Sequence, residues 1–426
     1  VTTVVQKFGG SSVADAAKIK HCATRVADAV RAGKRVAVVV SAMGDTTDDL
    51  IELAAQLTQT PDRREMDQLL ATGEQVSIAL LAMALQAMGV PAVSLTGAQC
   101  GIRTDGVHSR ARIAGIDNRR VVHEFERLRV PVVAGFQGVH LPADTGFAET
   151  TTLGRGGSDT TAVALAAALG ADECEIYTDV DGVYTADPRV VEDARLLDRI
   201  SYEEMMEAAS QGARVMHLRA VELGRKSGVP IRVLHAMRHG PGTLICEARN
   251  VMETQQAVTT VALKTDIGRI TIAGLPNRPG VQRDIFERIG AAGISVDDII
   301  QNDAEDGAGT CTIVFTVDKT DLAEVRQIVN AAVAAIGQGT VHEDLGLSKV
   351  SAVGVGMQSQ PGVAAKMFQA LADAGIRIAN ITTSEIKISC LVDEADGKAG
   401  LRAVHAAFNL GQAVVPSRNG TVAATA

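Results

Sequence analysis

The sequence predicts an α/β protein with a mainly parallel central sheet covered by helices, followed by two ferredoxin-like βαββαβ modules. Three observations carry this reading. Strand-like apolar runs alternate with helical runs as far as Cys246. Hydrophobic residues make up 46% of the 426 positions while aromatics make up 3% and Trp is absent, so the core is aliphatic, as strands buried on both faces require. The last third of the chain repeats itself.

Thr3–Lys7 reads as the first strand, with Phe8-Gly9-Gly10-Ser11-Ser12 as the loop behind it. Ser12 and Asp15 form a capping-box pattern, so a helix is expected from there to about Ala32. Arg35–Val40 is a second strand, closed by Ser41. Together they form a βαβ unit with a glycine loop at the carboxyl end of its first strand, the edge where ligands of open α/β sheets gather. Neither GxxxxGK[ST] nor GxGxxG occurs, which excludes the two commonest nucleotide fingerprints. Lys7 beside paired glycines is either a point charge for a phosphate or a strand-end lysine in solvent.

Asp45–Asp49, with Thr46 and Thr47, reads as a polar loop opening a helix. Glu65–Met88 is largely helical, with a break expected at Thr72-Gly73. Glu74 beside that break is either a solvated residue or a carboxylate for an ammonium group. Gly97–Gly115 reads as an irregular hairpin or flap, and Val130–Phe136 as a strand.

The most informative stretch is Thr150–Thr161, TTTLGRGGSDTT, between a strand and an Ala/Leu-rich helix that stops at Gly170. Ser158 is expected as the N-cap, with Asp159 in the positive first turn. A glycine-rich loop opening a helix turns backbone N–H groups toward an anion, and Arg155 has the planar fork for a carboxylate or phosphate. The alternative is an ordinary tight turn. Glu175–Thr178 is a strand that runs into Asp179-Val180-Asp181-Gly182-Val183-Tyr184. An EF-hand is excluded, because Val183 stands where a ligand belongs and Tyr184 where the glycine belongs. A nucleotide loop, with Tyr184 and Arg189 near base or phosphates, fits better. Ser201–Lys226 gives one or two helices, Pro230–Leu234 an edge strand and Thr243–Cys246 a further strand.

Beyond Cys246, Arg269–Gly274, Pro279-Gly280-Val281, Phe286 and Ala292-Gly293-Ile294 recur as Lys349–Gly354, Pro361-Gly362-Val363, Phe368 and Ala374-Gly375-Ile376. Each copy reads strand, helix, strand, strand, helix, strand. The formal charge of −9 argues against nucleic acid as a partner. The six cysteines are dispersed and form no zinc spacing, so reduced, buried thiols in a cytoplasmic protein are expected, with no protein-held metal. No signal peptide is visible, and no apolar segment reads as long and uninterrupted enough to span a membrane.

Several stretches together resemble aspartate kinase (aspartokinase) over nearly the whole chain: VVQKFGGSSV at 4–13, VVSAMGDTTD at 39–48, TGEQVSIALL at 72–81, VAGFQGV at 133–139, TTLGRGGSDTTAVALAAAL at 151–169 and ECEIYTDVDGVYTADPRVV at 173–191. The resemblance implies an amino-acid-kinase catalytic domain over 1–246, a linker and returning strand over 247–263, and ACT domains over 264–342 and 343–426. It implies phosphorylation of the L-aspartate side chain by MgATP, the first step toward lysine, threonine and methionine. Lys7 would stabilise the transferring phosphoryl group, Phe8, Gly9, Gly10 and Ser11 would line the phosphate cradle, and Ser41 would lie on the nucleotide side. Thr47, Glu74, Arg155 and Ser158 would hold aspartate, with Glu74 on its amino group and Arg155 on its α-carboxylate. Asp159 would orient Lys7 and the reacting groups. Thr178, Asp179, Asp181, Tyr184, Arg189 and Arg214 would surround ATP; Arg214 stands where many relatives carry Lys.

For regulation, the resemblance implies a lysine-sensitive type that binds lysine, threonine or both between ACT modules. The candidates are Asn277, Gly280, Val281, Gln282, Val296, Asp297, Gln301 and Asn302, with Gly362, Val363, Arg377 and Ile378 facing them. It also implies a homo-oligomer formed through the ACT modules, with an internal start near Val251-Met252 as a route to a separate C-terminal subunit. Two other readings stay open: a kinase of the same fold acting on glutamate or acetylglutamate, and a non-catalytic amino-acid sensor.

Overall fold

The computed structural model describes residues 1–213, 215–248, 256–304 and 309–412. Arg214 and the Val251-Met252 site lie outside them. The chain forms two compact units. One takes Val1–Tyr184, Leu196–Ser210 and the described part of 214–252; the other takes Thr185–Arg195, Gln211–Ala213 and the described part of 253–426.

In the first unit the strands are β1 (Thr3–Phe8), β2 (Arg35–Val40), β3 (Ala92–Leu95), β4 (Ile102–Thr104), β5 (Ile113–Ile116), β6 (Val130–Ala134), β7 (Gln137–His140), β8 (Glu149–Thr152), β9 (Glu173–Thr178), β10 (Arg199–Ser201), β11 (Ile231–His235) and β12 (Thr243–Cys246). The helices are α1 (Ala16–Arg31), α2 (Thr46–Leu57), α3 (Arg63–Ala87), α4 (Arg119–Glu126), α5 (Gly157–Leu169), α6 (Tyr202–Ser210) and α7 (Leu218–Ser227). Eight strands form one sheet in the order β10-β12-β11-β9-β1-β2-β6-β3, parallel except for the β11–β12 pair. A second sheet, β5-β4-β7-β8, is the expected flap. Two aliphatic cores flank the large sheet. Val5, Ile176 and Ala162–Ala166 pack on one face; Phe8, Ile19, Cys22 and Val26 pack on the other.

Four local expectations are corrected. The first helix is capped by Asp15, whose carboxylate accepts from the Lys18 N–H, while Ser12 belongs to a short 3-10 turn. Helix α3 runs unbroken through Thr72-Gly73, because Gly73 there serves close packing: a Cβ would lie 2.8 Å from that of Ala42. At 25 residues α3 is long and apolar enough to cross a membrane; half of its most apolar window is buried in the domain, and it carries the buried Asp67 and Glu74. Strand β11 is interior, between β12 and β9; Pro230 precedes it and leaves its ladder N–H groups intact. Finally, α5 is capped by Gly156 in the left-handed conformation (φ 72°), which puts Ser158 inside the first turn.

The second unit holds one six-stranded sheet built by the repeat. Its strands are β13 (Thr260–Pro276), β14 (Asp297–Asp303), β15 (Thr310–Asp318), β16 (Thr340–Val353), β17 (Asn380–Thr383) and β18 (Lys387–Asp393), in the order β14-β15-β13-β16-β18-β17. The helices are α8 (Val281–Ala291), α9 (Leu322–Ile336), α10 (Val363–Asp373) and α11 (Gly397–Ala407). The long strands β13 and β16 serve both repeats: Thr260–Lys264 pairs with Lys349–Val353, and Arg269–Ala273 with Thr340–Asp344. The last strand expected of the second copy falls beyond the described residues.

Candidate active site

The site forms at the carboxyl edge of the large sheet. In β1, side chains alternate between faces. Phe8 turns toward α1 and stacks on Tyr177 with ring centroids 4.8 Å apart, so Lys7 turns to the opposite face, where α5 packs. There the Lys7 ammonium meets Asp159, Nζ to Oδ1 2.6 Å, with both side chains largely buried. The same ammonium stands beside Gly9, 3.4 Å from where a Cβ would be. At Gly10 a Cβ would lie 2.8 Å from the Ala42 carbonyl, so only glycine lets the turn close on the 42–44 loop, where the Gly44 N–H donates to Gly10 O at 3.0 Å. Phe8 is fully buried and offers a ligand only its backbone, whereas Ser11 is exposed and Ser41 half-buried.

Helix α5 enters from the other side. Gly135, at the end of β6, would place a Cβ 2.7 Å from Ser158 Oγ, so its bareness admits the Ser158 hydroxyl to the strand end. Arg155 is exposed and pairs with no carboxylate among the described residues. Thr47 is half-buried in the first turn of α2.

Glu74 is the most perturbed acid here. The tight Gly73–Ala42 packing lays α3 on the 42–44 loop, and the Ala42 N–H donates to Glu74 Oε1 at 3.1 Å. Oε2 has no hydrogen-bond partner, and burial pushes the carboxyl up to about 8. A buried carboxyl with one unpaired oxygen is built to receive a cation.

Near the ends of β9 and β11, Asp181 accepts from the Tyr184 hydroxyl at 3.1 Å and from Arg238 Nη2 at 3.0 Å. Thr178 Oγ1 donates to Asp179 at 3.1 Å, and the Thr178 carbonyl accepts from the Ala236 N–H. Arg189 falls in the other unit, where its guanidinium forks Asp187 with Nη2 to Oδ2 2.8 Å.

Sequence reasoning missed four contributors. Asp67, wholly buried, takes the Ser109 N–H, the Thr152 hydroxyl and His108 Nδ1, so it ties the flap, including β8 just ahead of Arg155, to α3. Its signal was the seven-residue spacing to Glu74, two turns along one helical face, which the expected break concealed. Phe136 holds φ 66° at the end of β6, and no pattern in the sequence marks that. Arg219 donates to Leu153 O at 2.6 Å and Ala111 O at 3.0 Å. Arg238 is the fourth.

In the second unit Gly280 and Gly362 cap α8 and α10 in equivalent left-handed conformations. Val281 and Val363 are buried in the two cores and offer only backbone; Val296 and Ile378 pack on the same cores from outside. Gln282 donates to Gln301 at 2.6 Å, Asn277 to Asp303 at 3.0 Å, and Asn302 lies exposed on edge strand β14. Asp297 is engaged by the buried Lys349 at 2.8 Å, and Arg377 faces Asp393 at 3.6 Å. Among the described residues, the 277–302 set and the 362–378 set make no hydrogen bond or ion pair with each other.

The amino acid kinase family profile matches residues 2–235, and ACT domain profiles match 269–334 and 350–408. An aspartate kinase of Stutzerimonas stutzeri strain A1501 is 49% identical over 407 residues, covering 96% of this chain and 97% of its own length. This chain belongs to the aspartate kinase family. A Pseudomonas aeruginosa aspartokinase is likewise 49% identical, over 98% of this chain and 99% of its own. Escherichia coli aspartokinase III in complex with aspartate and ADP, in its R-state, superposes with a TM-score of 0.78 at 26% identity, over 95% of this chain and 99% of that one. As an aspartate kinase, this chain is an enzyme that transfers a phosphoryl group to a carboxyl group. Among the described residues no three His, Cys, Asp or Glu side chains form a metal-holding group.

Proposed function

We propose that this aspartate kinase transfers the γ-phosphoryl group of MgATP to the side-chain carboxylate of L-aspartate, giving 4-phospho-L-aspartate and ADP. The observation that carries the reading is the Lys7 ammonium, locked 2.6 Å from Asp159 over the Gly9-Gly10 turn. A carboxylate oxygen attacks the γ-phosphorus, and the bond to the β-phosphate oxygen breaks with its electron pair leaving on ADP. No base is required, because the nucleophile is already ionised at neutral pH. The obstacle is repulsion: two unit negative charges 4 Å apart oppose each other by about 4 kcal/mol at an effective dielectric of ~20. Lys7 and the N–H groups of Gly10 and Ser11 offset that repulsion and position the phosphoryl group, the main work of phosphoryl-transfer catalysts. Asp159 holds Lys7 in place. Arg155 takes the α-carboxylate, Glu74 Oε2 takes the ammonium, and Ser158 and Thr47 complete the amino-acid side. Ser41, Thr178, Asp179, Asp181 and Tyr184 take the nucleotide side.

The repeated modules carry the regulatory part of the proposal: lysine, threonine or both bind near Gly280, Gln282, Gln301 and Asp297, across from Gly362, Arg377 and Ile378 of a second subunit. Support comes from the Escherichia coli aspartokinase III structure in complex with lysine and aspartate, a T-state, which superposes with a TM-score of 0.72 at 26% identity. Coupled ADP release tests both parts. Turnover with aspartate and little with glutamate or acetylglutamate is expected, with loss on adding lysine and threonine. Release independent of the amino acid supplied defeats the catalytic reading, and indifference to both effectors defeats the regulatory one.

A further inference from the structure

His217 lies just before α7, beneath the loop that carries Arg155. Its ring is pressed onto Gly156, the residue capping α5: a Cβ at Gly156 would lie 2.1 Å from His217 Cγ and 2.4 Å from both its Cβ and Cδ2. Two residues on, Arg219 donates to Leu153 O at 2.6 Å and Ala111 O at 3.0 Å. The start of α7 thus grips both ends of Leu153–Gly156. His217 Nδ1 is buried without a hydrogen-bond partner, so the ring serves here by its shape.

We propose that His217 is a positioning residue for the kinase reaction: its uncharged imidazole is the floor that sets where Arg155 meets the substrate. This rests on the assignment of Arg155 to the substrate carboxylate. The charges facing His217 are Asp159 from α5, Arg155 from the loop and Arg219 from α7 itself; on α6, Glu203 is paired with Arg225 farther along α7. Desolvation is the largest influence and holds the imidazole below its usual value, so it is neutral at neutral pH. Protonation sets a third cation beside Arg155 and Arg219 without a carboxylate to spare, because Asp159 is committed to Lys7. The loop then loosens and aspartate binds worse.

Leucine is the discriminating replacement. It reproduces the Cβ, Cγ and δ positions that touch Gly156, and it cannot be charged. In steady-state assays, His217→Ala is expected to raise the aspartate KM about tenfold while leaving the ATP KM within twofold. His217→Leu is expected to keep the parent aspartate KM at pH 8 and to make the rise toward acid pH shallower than the parent's, leaving the part that Glu74 sets. An unchanged aspartate KM in His217→Ala, or a parent-like acid rise in His217→Leu, overturns the proposal. Should His217→Ala not fold, the His217→Leu pH profile decides alone. Arg155→Ala run alongside separates the two failures: if it leaves the aspartate KM unchanged, the substrate assignment of Arg155 is wrong; if it raises KM while the His217 variants are silent, only the floor is wrong.

Discussion

Replacing Glu74 with Gln tests the amino-acid side of the site through stability and binding at once. In the folded chain burial holds the Glu74 proton up to about pH 8, against an ordinary value of 4.5. The folded state therefore binds a proton that the unfolded chain has released. Stability from this group is full below pH 4.5 and is lost as pH climbs through 8. At about 1.36 kcal/mol per pH unit, the whole window is worth about 5 kcal/mol. Gln keeps the shape and still accepts from the Ala42 N–H, but carries no titrating proton. Glu74→Gln should melt near the parent at pH 5 and roughly 10 °C above it at pH 8, taking 2–4 °C per kcal/mol for a unit of this size. The transition to follow is the one aspartate raises in the parent. Binding should move the other way. Parent Glu74 must release its proton to hold the substrate ammonium, so the aspartate KM should fall as pH rises toward 8. The variant should lose that dependence and show a KM about 100-fold higher, the loss of a charge-assisted bond of nearly 3 kcal/mol. A stability difference that does not change with pH, or an unchanged KM, would show that Glu74 is neither a buried acid nor the partner of the substrate ammonium.

Three further outcomes follow from the same geometry. Lys7→Ala and Asp159→Ala should both fold and lose at least 100-fold in kcat, since a fixed charge at the reacting group is worth about 3 kcal/mol; near-normal kcat in either removes that residue from the reaction. Asp67→Ala leaves the Ser109 N–H and the Thr152 hydroxyl without their acceptor, so it should cost about 2–4 kcal/mol in denaturant unfolding and raise the aspartate KM through the loosened flap. Lys349→Met leaves Asp297 and the buried Asp298 without their cation and should destabilise the second unit by about 3–5 kcal/mol; a melt unchanged by that substitution shows that the pair contributes nothing net.

Much of this architecture was legible because its signals are local. The apolar runs of β1, β2 and β6, the left-handed stop at Gly170 and the repeat at 269–294 and 349–376 each report a short-range rule. The glycine turn and TTTLGRGGSDTT stood out for the same reason, and the Lys7–Asp159 pair joins the strand ahead of the one to the helix behind the other. What stayed hidden depends on contacts between distant segments. Gly73 read as a break because its reason for being glycine is Ala42, thirty-one positions away. That error concealed the shared face of Asp67 and Glu74. Pro230 suggested an edge strand, yet it precedes the strand and leaves β11 free to pair on both sides. Ser158 looked like a cap because Ser and Asp favour that position, but Gly156 reaches the left-handed conformation at no cost and starts the helix two residues earlier.

In the proposed reaction Lys7, Asp159 and the Gly9-Gly10 turn let a carboxylate and a triphosphate react in one cleft. Hydroxylamine trapping of the acyl phosphate measures that event itself. With MgATP and L-aspartate the parent should yield aspartyl hydroxamate in step with ADP, and Lys7→Ala should yield at most a hundredth as much while still binding aspartate. ADP release without hydroxamate, or a Lys7→Ala enzyme that forms it at the parent rate, would rule this reaction out.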